Sequence, residues 1–257
     1  MLLYGGGENG KSVILEMIQH LMPEHLCAAV RPDKFKEEYS KAQLAGAYVN
    51  IVGELERDKP LSSEFKDIVG GDQRQTARQP YCPAFTFQPR AAHVFASNHF
   101  PATRDHSHGF YRRWRIIKFN NVVDPKKKIP HLGKMIVEEE GQYLTAWALK
   151  GAQKLKKHGV NLPETVCHKE ALQEWQNEQD TFKGFFADRE TIEPKDGSNI
   201  PLAELFQEYQ KWCSSNRRSS LGKQNFNKRV KQQFQTKRIS NKNSLPDWCF
   251  VGESTLF

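Results

Sequence analysis

The stretch Gly5-Gly6-Gly7-Glu8-Asn9-Gly10-Lys11-Ser12 constrains this chain more than any other, because it fits G-x-x-x-x-G-K-[ST] in full. The glycines let the backbone curl so that its N–H groups converge on phosphate oxygens. Lys11 then reaches the β/γ oxygens, and the Ser12 hydroxyl ligates Mg²⁺. The motif carries this meaning only between a strand and a helix. Val13 to Met22 bears apolar residues at helical spacing and Pro23 stops it, while Met1 to Tyr4 supply a short strand in front. The expectation is an α/β fold in which Gly5, Gly6, Gly7, Glu8, Asn9, Gly10, Lys11, Ser12 and Val13 surround bound ATP. The competing reading is a glycine-rich turn that holds no ligand.

Residues 1–120 alternate short apolar runs with helical patterns, the rhythm of a nucleotide-binding sheet. Val49-Asn-Ile-Val52 reads as a buried strand that leads into Glu54 and Glu56. A phosphate-binding loop needs such an acid to hold the Mg²⁺ shell and orient water. Which of the two glutamates does which is open at this level. Ala91 to Ser97 reads as another strand with Asn98 at its end, where an amide can orient water and sense the γ-phosphate; the alternative is an Asn that merely begins a turn. Trp114 to Phe119 is a third strand. Residues 132–157 form one or two helices with Ile136, Leu144, Trp147, Leu149 and Leu155 on buried faces.

Between the acids and Asn98 lies the basic loop Gln73-Arg-Gln-Thr-Ala-Arg78, followed by Tyr81, Phe85 and Phe87. Arg74 and Arg78 suit phosphate contacts, and Tyr81 suits base stacking. Phe85 and Phe87 read better as buried hairpin aromatics. His106 and His108 beside Asp105 read as a solvated loop rather than a metal site, and so does Lys126-Lys-Lys128.

The C-terminal part has a different character. Pro201 starts a helix whose apolar stripe is Leu202, Leu205, Phe206, Tyr209 and Trp212; a second helix carries Phe226, Val230 and Phe234. A turn-rich segment from Ser240 to Asp247 leads to a strand at Trp248 to Val251. Helix, helix and hairpin is the order of a winged helix. No acid lies between Glu208 and Asp247, while Arg217, Arg218, Lys223, Lys228, Arg229, Lys231, Lys237, Arg238 and Lys242 accumulate. Lys223, Lys228 and Lys231 on the second helix and Lys237 on the wing are the expected DNA contacts, against the alternative of a solvated basic face.

The formal net charge of +8 favours a polyanionic partner. The five cysteines include no C-x-x-C pair, which argues against a zinc site or disulfide framework and for a reducing cytoplasm. No run is long and apolar enough to span a membrane, and the N-terminus lacks a signal-peptide pattern.

The blocks "LLYGGGENGKS", "VNIVGELE", "FKDIVGGDQRQTAR", "HVFASNHFP" and "GFYRRWRIIKF" stand in the order found in phage and plasmid primase-helicases. Over roughly residues 1–190 the chain resembles that family, superfamily 3 helicases with an AAA+ core that include the poxvirus primase-helicase. The resemblance implies an α/β P-loop AAA+ domain over 1–160, truncated at its N-terminus, then a helical connector over 161–190 and a small winged-helix-like DNA-binding domain over 191–257. It implies that Gly10, Lys11 and Ser12 are Walker A, Glu54 and Glu56 Walker B and Asn98 the sensor. Arg113 is then the finger that reaches a neighbour's γ-phosphate, with Arg112 as the alternative. The implied activity is ATP-dependent unwinding of DNA, single-stranded or forked, with ATP and Mg²⁺ as cofactors and Ser12 and Glu54 holding the metal. The implied assembly is a homo-oligomeric ring, a hexamer in the full-length context, in the cytoplasm of a bacterial host. Relatives carry a primase region and an assembly domain ahead of the ATPase. Nothing in residues 1–257 points to primase chemistry. The alternative function is a DNA-binding replication-initiation module whose ATPase is vestigial or a switch.

Overall fold

A computed structural model describes residues 1–57, 59–103, 105–157, 159, 162–216, 218 and 220–251. Arg217, one of the basic residues named above, lies outside the described residues. The chain divides into two compact units, Met1–Gln173 and Glu174–Phe257.

In the first unit the apolar runs do become strands. In chain order it contains β1 (Leu2–Tyr4), α1 (Lys11–Leu21), β2 (Cys27–Ala28), α2 (Glu38–Ala42), β3 (Val49–Val52), α3 (Phe65–Gly70), β4 (Gln75–Ala77), β5 (Phe85–Phe87), β6 (Ala92–Ser97), α4 (His108–Tyr111), β7 (Ile116–Lys118) and α5 (Leu132–Lys157). Five strands form one sheet in the order β2-β3-β6-β1-β7, and every pairing in it is parallel. Side chains alternate between its faces. Leu3, Val49, Val94 and Ala96 pack with Leu15 of α1 on one side. On the other, Phe65 stacks on Trp114 with ring centroids 4.9 Å apart, and Phe35, Phe95 and Phe110 join them. Burial on both faces is what parallel strands require.

Three buried polar groups fasten this sheet. Asn50 is fully buried; its Oδ1 accepts from Val30 N at 2.7 Å and its Nδ2 donates to Val30 O at 2.8 Å. The same Nδ2 lies 3.1 Å from Nδ1 of His93 on β6, so that nitrogen is the acceptor and the neutral ring carries its proton on Nε2. Burial lowers the His93 pKa from 6.5 to about 4, with the neighbouring N-terminal ammonium adding to the effect. At the edge, Ile116 N donates to Nδ1 of buried His168, 3.2 Å away, on α6 (Val166–Gln179).

Residues 132–157 form one helix rather than two, but Trp147 and Leu149 are exposed, not buried. The helix rises about 1.5 Å per residue and outruns α1, the helix it packs against, so among the described residues of this unit its far half has no cover.

The second unit contains α7 (Thr181–Ala187), β8 (Ile192–Pro201), α8 (Leu202–Ser215), α9 (Lys223–Gln233), β9 (Lys237–Ile239) and β10 (Lys242–Phe250). The three strands pair antiparallel in the order β8-β10-β9. Strand β8 was not expected, and β10 begins well before Trp248. Both carry turn-like residues because they are irregular: Gly197 N donates to Asp247 Oδ1 at 3.1 Å where the register shifts between Pro246 and Trp248. The core joins Phe182, Phe185 and Phe186 of α7 to Leu205, Phe206 and Tyr209 of α8 and to Phe226 and Val230 of α9. The Tyr209 hydroxyl pairs with the Thr181 hydroxyl at 2.6 Å and accepts from Leu221 N at 2.9 Å. Ser240 and Asn241 have φ of 47° and 64°, the two positive values a tight two-residue hairpin demands.

Candidate nucleotide and nucleic-acid sites

Strand order places the glycine loop. The chain leaves β1 toward β2 on one side, but leaves β6 toward β7 on the other. Because β1 and β6 are parallel neighbours, the loop after one and the residue after the other border a common crevice at the carboxyl edge of the sheet. The loop from Gly5 to Gly10 fills one wall of it and Asn98 stands on the other.

Gly5 fits only as glycine, since a Cβ there would lie 2.2 Å from the backbone oxygen of Phe119. Gly10 caps α1 with φ of 85°, a left-handed conformation that other residues adopt at a cost. Asn9 ties the loop inward, its Nδ2 donating to Phe119 O at 3.0 Å. Val123 N donates to Glu8 O at 2.7 Å, and Lys128 forms an ion pair with the Glu8 carboxylate. Lys128 therefore braces the loop, a role its place in a lysine run did not disclose.

Lys11 is the electrostatic centre. Its side chain is buried, and Nζ donates to Gly5 O at 2.7 Å, Gly6 O at 2.9 Å, Asn9 Oδ1 at 2.9 Å and Asn98 Oδ1 at 3.0 Å. Among the described residues no carboxylate contacts it. Burial pushes the ammonium below the ordinary lysine value, and the charge of Glu54 partly offsets that. A cation buried among neutral dipoles at a helix N-terminus is matched by an anion from outside, so these residues fit a nucleotide's phosphates. Ser12 in the first turn of α1 and Glu54 beyond β3, both exposed, offer the hard oxygen donors Mg²⁺ takes together with phosphate and water. Among the described residues no three His, Cys, Asp or Glu side chains group as a metal site of their own.

The two glutamates differ. Glu56 is held in ion pairs with Arg31 and with Lys59, the latter at 2.6 Å. Glu54 is exposed and coupled to Lys11 by charge.

Arg112 and Arg113 lie elsewhere. They precede β7, which runs parallel to β1, so they stand where the strands begin, on the edge opposite the loop. Arg113 is half-buried; its Nε donates to Lys66 O at 3.0 Å and its Nη1 donates to Gly109 O. Arg112 is exposed. Nearby, Asp105 serves the fold: burial alone raises its carboxyl, but hydrogen bonds from Lys66 and Ser107 outweigh that and hold it at about 2. His106 Nδ1 lies 3.3 Å from the Tyr111 hydroxyl.

Arg74 and Arg78 sit on the β4–β5 hairpin, exposed. Arg74 bonds Thr86 Oγ1 at 2.9 Å and Arg78 bonds Cys82 O at 3.1 Å. Tyr81 at the tip is fully exposed, while Phe85 and Phe87 are half-buried against each other at 6.1 Å.

In the second unit, Phe226 and Val230 turn α9 toward the core. At 100° per residue Gln224, Lys228, Lys231 and Gln232 share the outward face, all exposed. Lys223 and Lys237 are exposed as well. Arg229 is not on that face. It pairs both nitrogens with Asp180 at 2.9 and 2.7 Å and lies over the Phe182 ring.

Residues 3–113 match a family described as of unknown function, DUF5906. No curated protein matches the sequence. Among solved structures, the A form of the apo C-terminal region of NrS-1 gives a TM-score of 0.47 at 12% identity, covering 96% of this chain and 66% of that one. A second apo structure of that region gives 0.42 at 13%, over 95% of this chain and 65% of the other. JCV helicase with a bound thiazolopyridine compound gives 0.35 at 13%, over 72% and 55%. The chain thus spans about two thirds of the NrS-1 region. No helix among the described residues is long and apolar enough to cross a membrane.

Proposed function

We propose that this chain is the ATP-dependent helicase part of a phage or plasmid primase-helicase, a P-loop ATPase of superfamily 3 type joined to a winged-helix DNA-binding unit. The observation that carries the reading is the convergence of the loop, Lys11 and Asn98 at one crevice of a parallel sheet. Lys11 and the loop amides would bind the triphosphate, Ser12 and Glu54 would hold Mg²⁺, whose charge would offset that of the phosphates, and Glu54 with Asn98 would orient the attacking water. Glu54 rather than Glu56 takes this part, because Glu56 is spent on Arg31 and Lys59.

The finger comes from a neighbouring subunit. Both arginines stand on the far edge from their own loop, and exposed Arg112 is freer to reach out than Arg113, whose guanidinium is anchored on Lys66 and Gly109. Single-stranded DNA contacts Arg74, Arg78 and Tyr81 on the β4–β5 hairpin. Duplex DNA contacts Lys223, Lys228 and Lys231 of α9 and Lys237 of the wing. What supports the winged-helix reading is the order α7, β8, α8, α9, β9, β10 with the Ser240–Asn241 hairpin as wing.

The test is ATP turnover by the purified chain with and without single-stranded or forked DNA, beside Lys11→Ala. DNA-stimulated turnover that Lys11→Ala abolishes is expected. Salt-sensitive DNA binding without turnover, in the confirmed oligomer, would favour the replication-initiation module instead.

A further inference from the structure

Among the described residues of the first unit, nothing packs on one continuous seam along the far half of α5. Positions Gly133, Ile136, Glu140, Tyr143, Trp147, Gly151 and Lys154 recur every three or four residues and so share one side of the helix. At its start this side packs on α1, where a Cβ on Gly133 would lie 2.7 Å from Val13 O. Beyond α1 the same side continues uncovered, with Tyr143 66% and Trp147 75% exposed.

Charge along the seam names the occupant. Glu139 and Glu140 lie ahead of Trp147, Lys150 and Lys154 behind it, and among the described residues none of these four forms an ion pair. Glu138 is different, since it faces Lys134 in its own helix at 3.7 Å. A parallel copy of α5 would set acid on acid. An antiparallel copy sets Glu140 opposite Lys154 twice, places Trp147 against itself on the two-fold axis, and leaves the small Gly151 to receive Tyr143. Opposed helix dipoles favour the same direction.

We propose that α5 pairs antiparallel with α5 of a second copy of this chain, centred on Trp147. The contact is separate from the nucleotide crevice.

The test is the mass of the full chain by sedimentation, without nucleotide and in an Arg112→Ala background so that any P-loop contact between subunits is weakened. A concentration-dependent dimer is expected. Glu140→Lys and Lys154→Glu should each raise its dissociation constant at least about tenfold, because each sets like charges together twice. Mixed in equal amounts, the two should dimerise again, and one chain with both changes should recover self-association. Trp147→Ser should be monomeric with unchanged helicity. A parent chain that stays monomeric at high concentration, single reversals that dimerise like the parent, or a double variant that fails to recover would each overturn the pairing. So would a monomer whose Trp147 fluorescence shows it shielded, since another part of the same chain would then be the occupant.

Discussion

Nζ of Lys11 and Oδ1 of Asn98 lie 3.0 Å apart, which joins the loop after β1 to the end of β6 across the crevice. In the proposed site a γ-phosphate competes with Asn98 for the lysine. Asn98→Ala should bind ATP within a few-fold of the parent yet lose about a hundredfold in turnover, the usual effect of removing one preorganised polar group. Lys11→Ala should lose nucleotide binding as well. Binding by fluorescent ATP analogue and turnover by phosphate release separate the two; equal losses of affinity in both variants would argue against the distinction.

The two glutamates give a second pair of outcomes. Glu54→Gln should retain ATP and trap it unhydrolysed, with turnover reduced about a hundredfold or more. Glu56→Gln releases Arg31 and Lys59, an exposed arrangement screened by solvent and costing at most about 1 kcal/mol. Its turnover should stay close to that of the parent. A reversal of this order would move the metal-site acid to Glu56.

The arginines are separable because, among the described residues, Arg113 is anchored through its guanidinium and Arg112 is not. Arg112→Ala should fold like the parent but lose turnover about a thousandfold, as expected of a finger. Arg113→Ala should lower the melting temperature, since Lys66 O and Gly109 O lose their donor. Mixing Lys11→Ala with Arg112→Ala chains should restore some activity through composite sites. Verified mixed oligomers without recovered turnover, tested with Arg113→Ala as well, would exclude a shared site.

On α9, charge reversal at Lys228 and Lys231 should weaken binding to many DNA sequences and flatten its salt dependence, because the contacts are to phosphate. Arg229→Ala should instead cost about 2 kcal/mol of stability, the scale of a charged hydrogen-bonded pair. Fluorescence anisotropy over a salt series and chemical denaturation distinguish these effects. An unchanged salt slope would make the lysine face a merely solvated one.

His93 makes a pH prediction. Its folded pKa is lowered from 6.5 to about 4, so the unfolded chain takes up its proton first as pH falls. The contribution is intact above pH 6.5 and is lost progressively down to about pH 4. There the loss reaches about 3 kcal/mol, as linkage requires. The denaturant midpoint of the parent should fall across that window by more than that of His93→Phe. Parallel curves would mean the ring is not titrating there.

Some of this was legible in the residues and some was not. The turn from Gly5 to Gly10 between β1 and α1 could be read directly because its backbone demands are local in sequence, and the strands into Glu54 and Asn98 because their burial makes them mainly apolar. Helical periodicity puts Trp147 and Leu149 on an apolar side, but it does not report whether anything covers that side, and both are exposed. Strand β8 escaped because Pro194, Gly197 and Asp196 mark turns, while its pairing with β10 is set by tertiary contact. Nothing in a run of lysines distinguishes Lys128, which reaches Glu8, from its neighbours, and Arg229 looked like any other base until Asp180 was brought beside it by α7.

In the proposed assembly, the placement of Arg112 and the glycine loop on opposite edges gives each subunit a head and a tail. On the proposed roles, an open row of such subunits always has one idle site at its end, and only closure into a circle makes all of them productive. Specific activity should then climb with protein concentration and fall on dilution, so that copy number itself becomes a control on the motor.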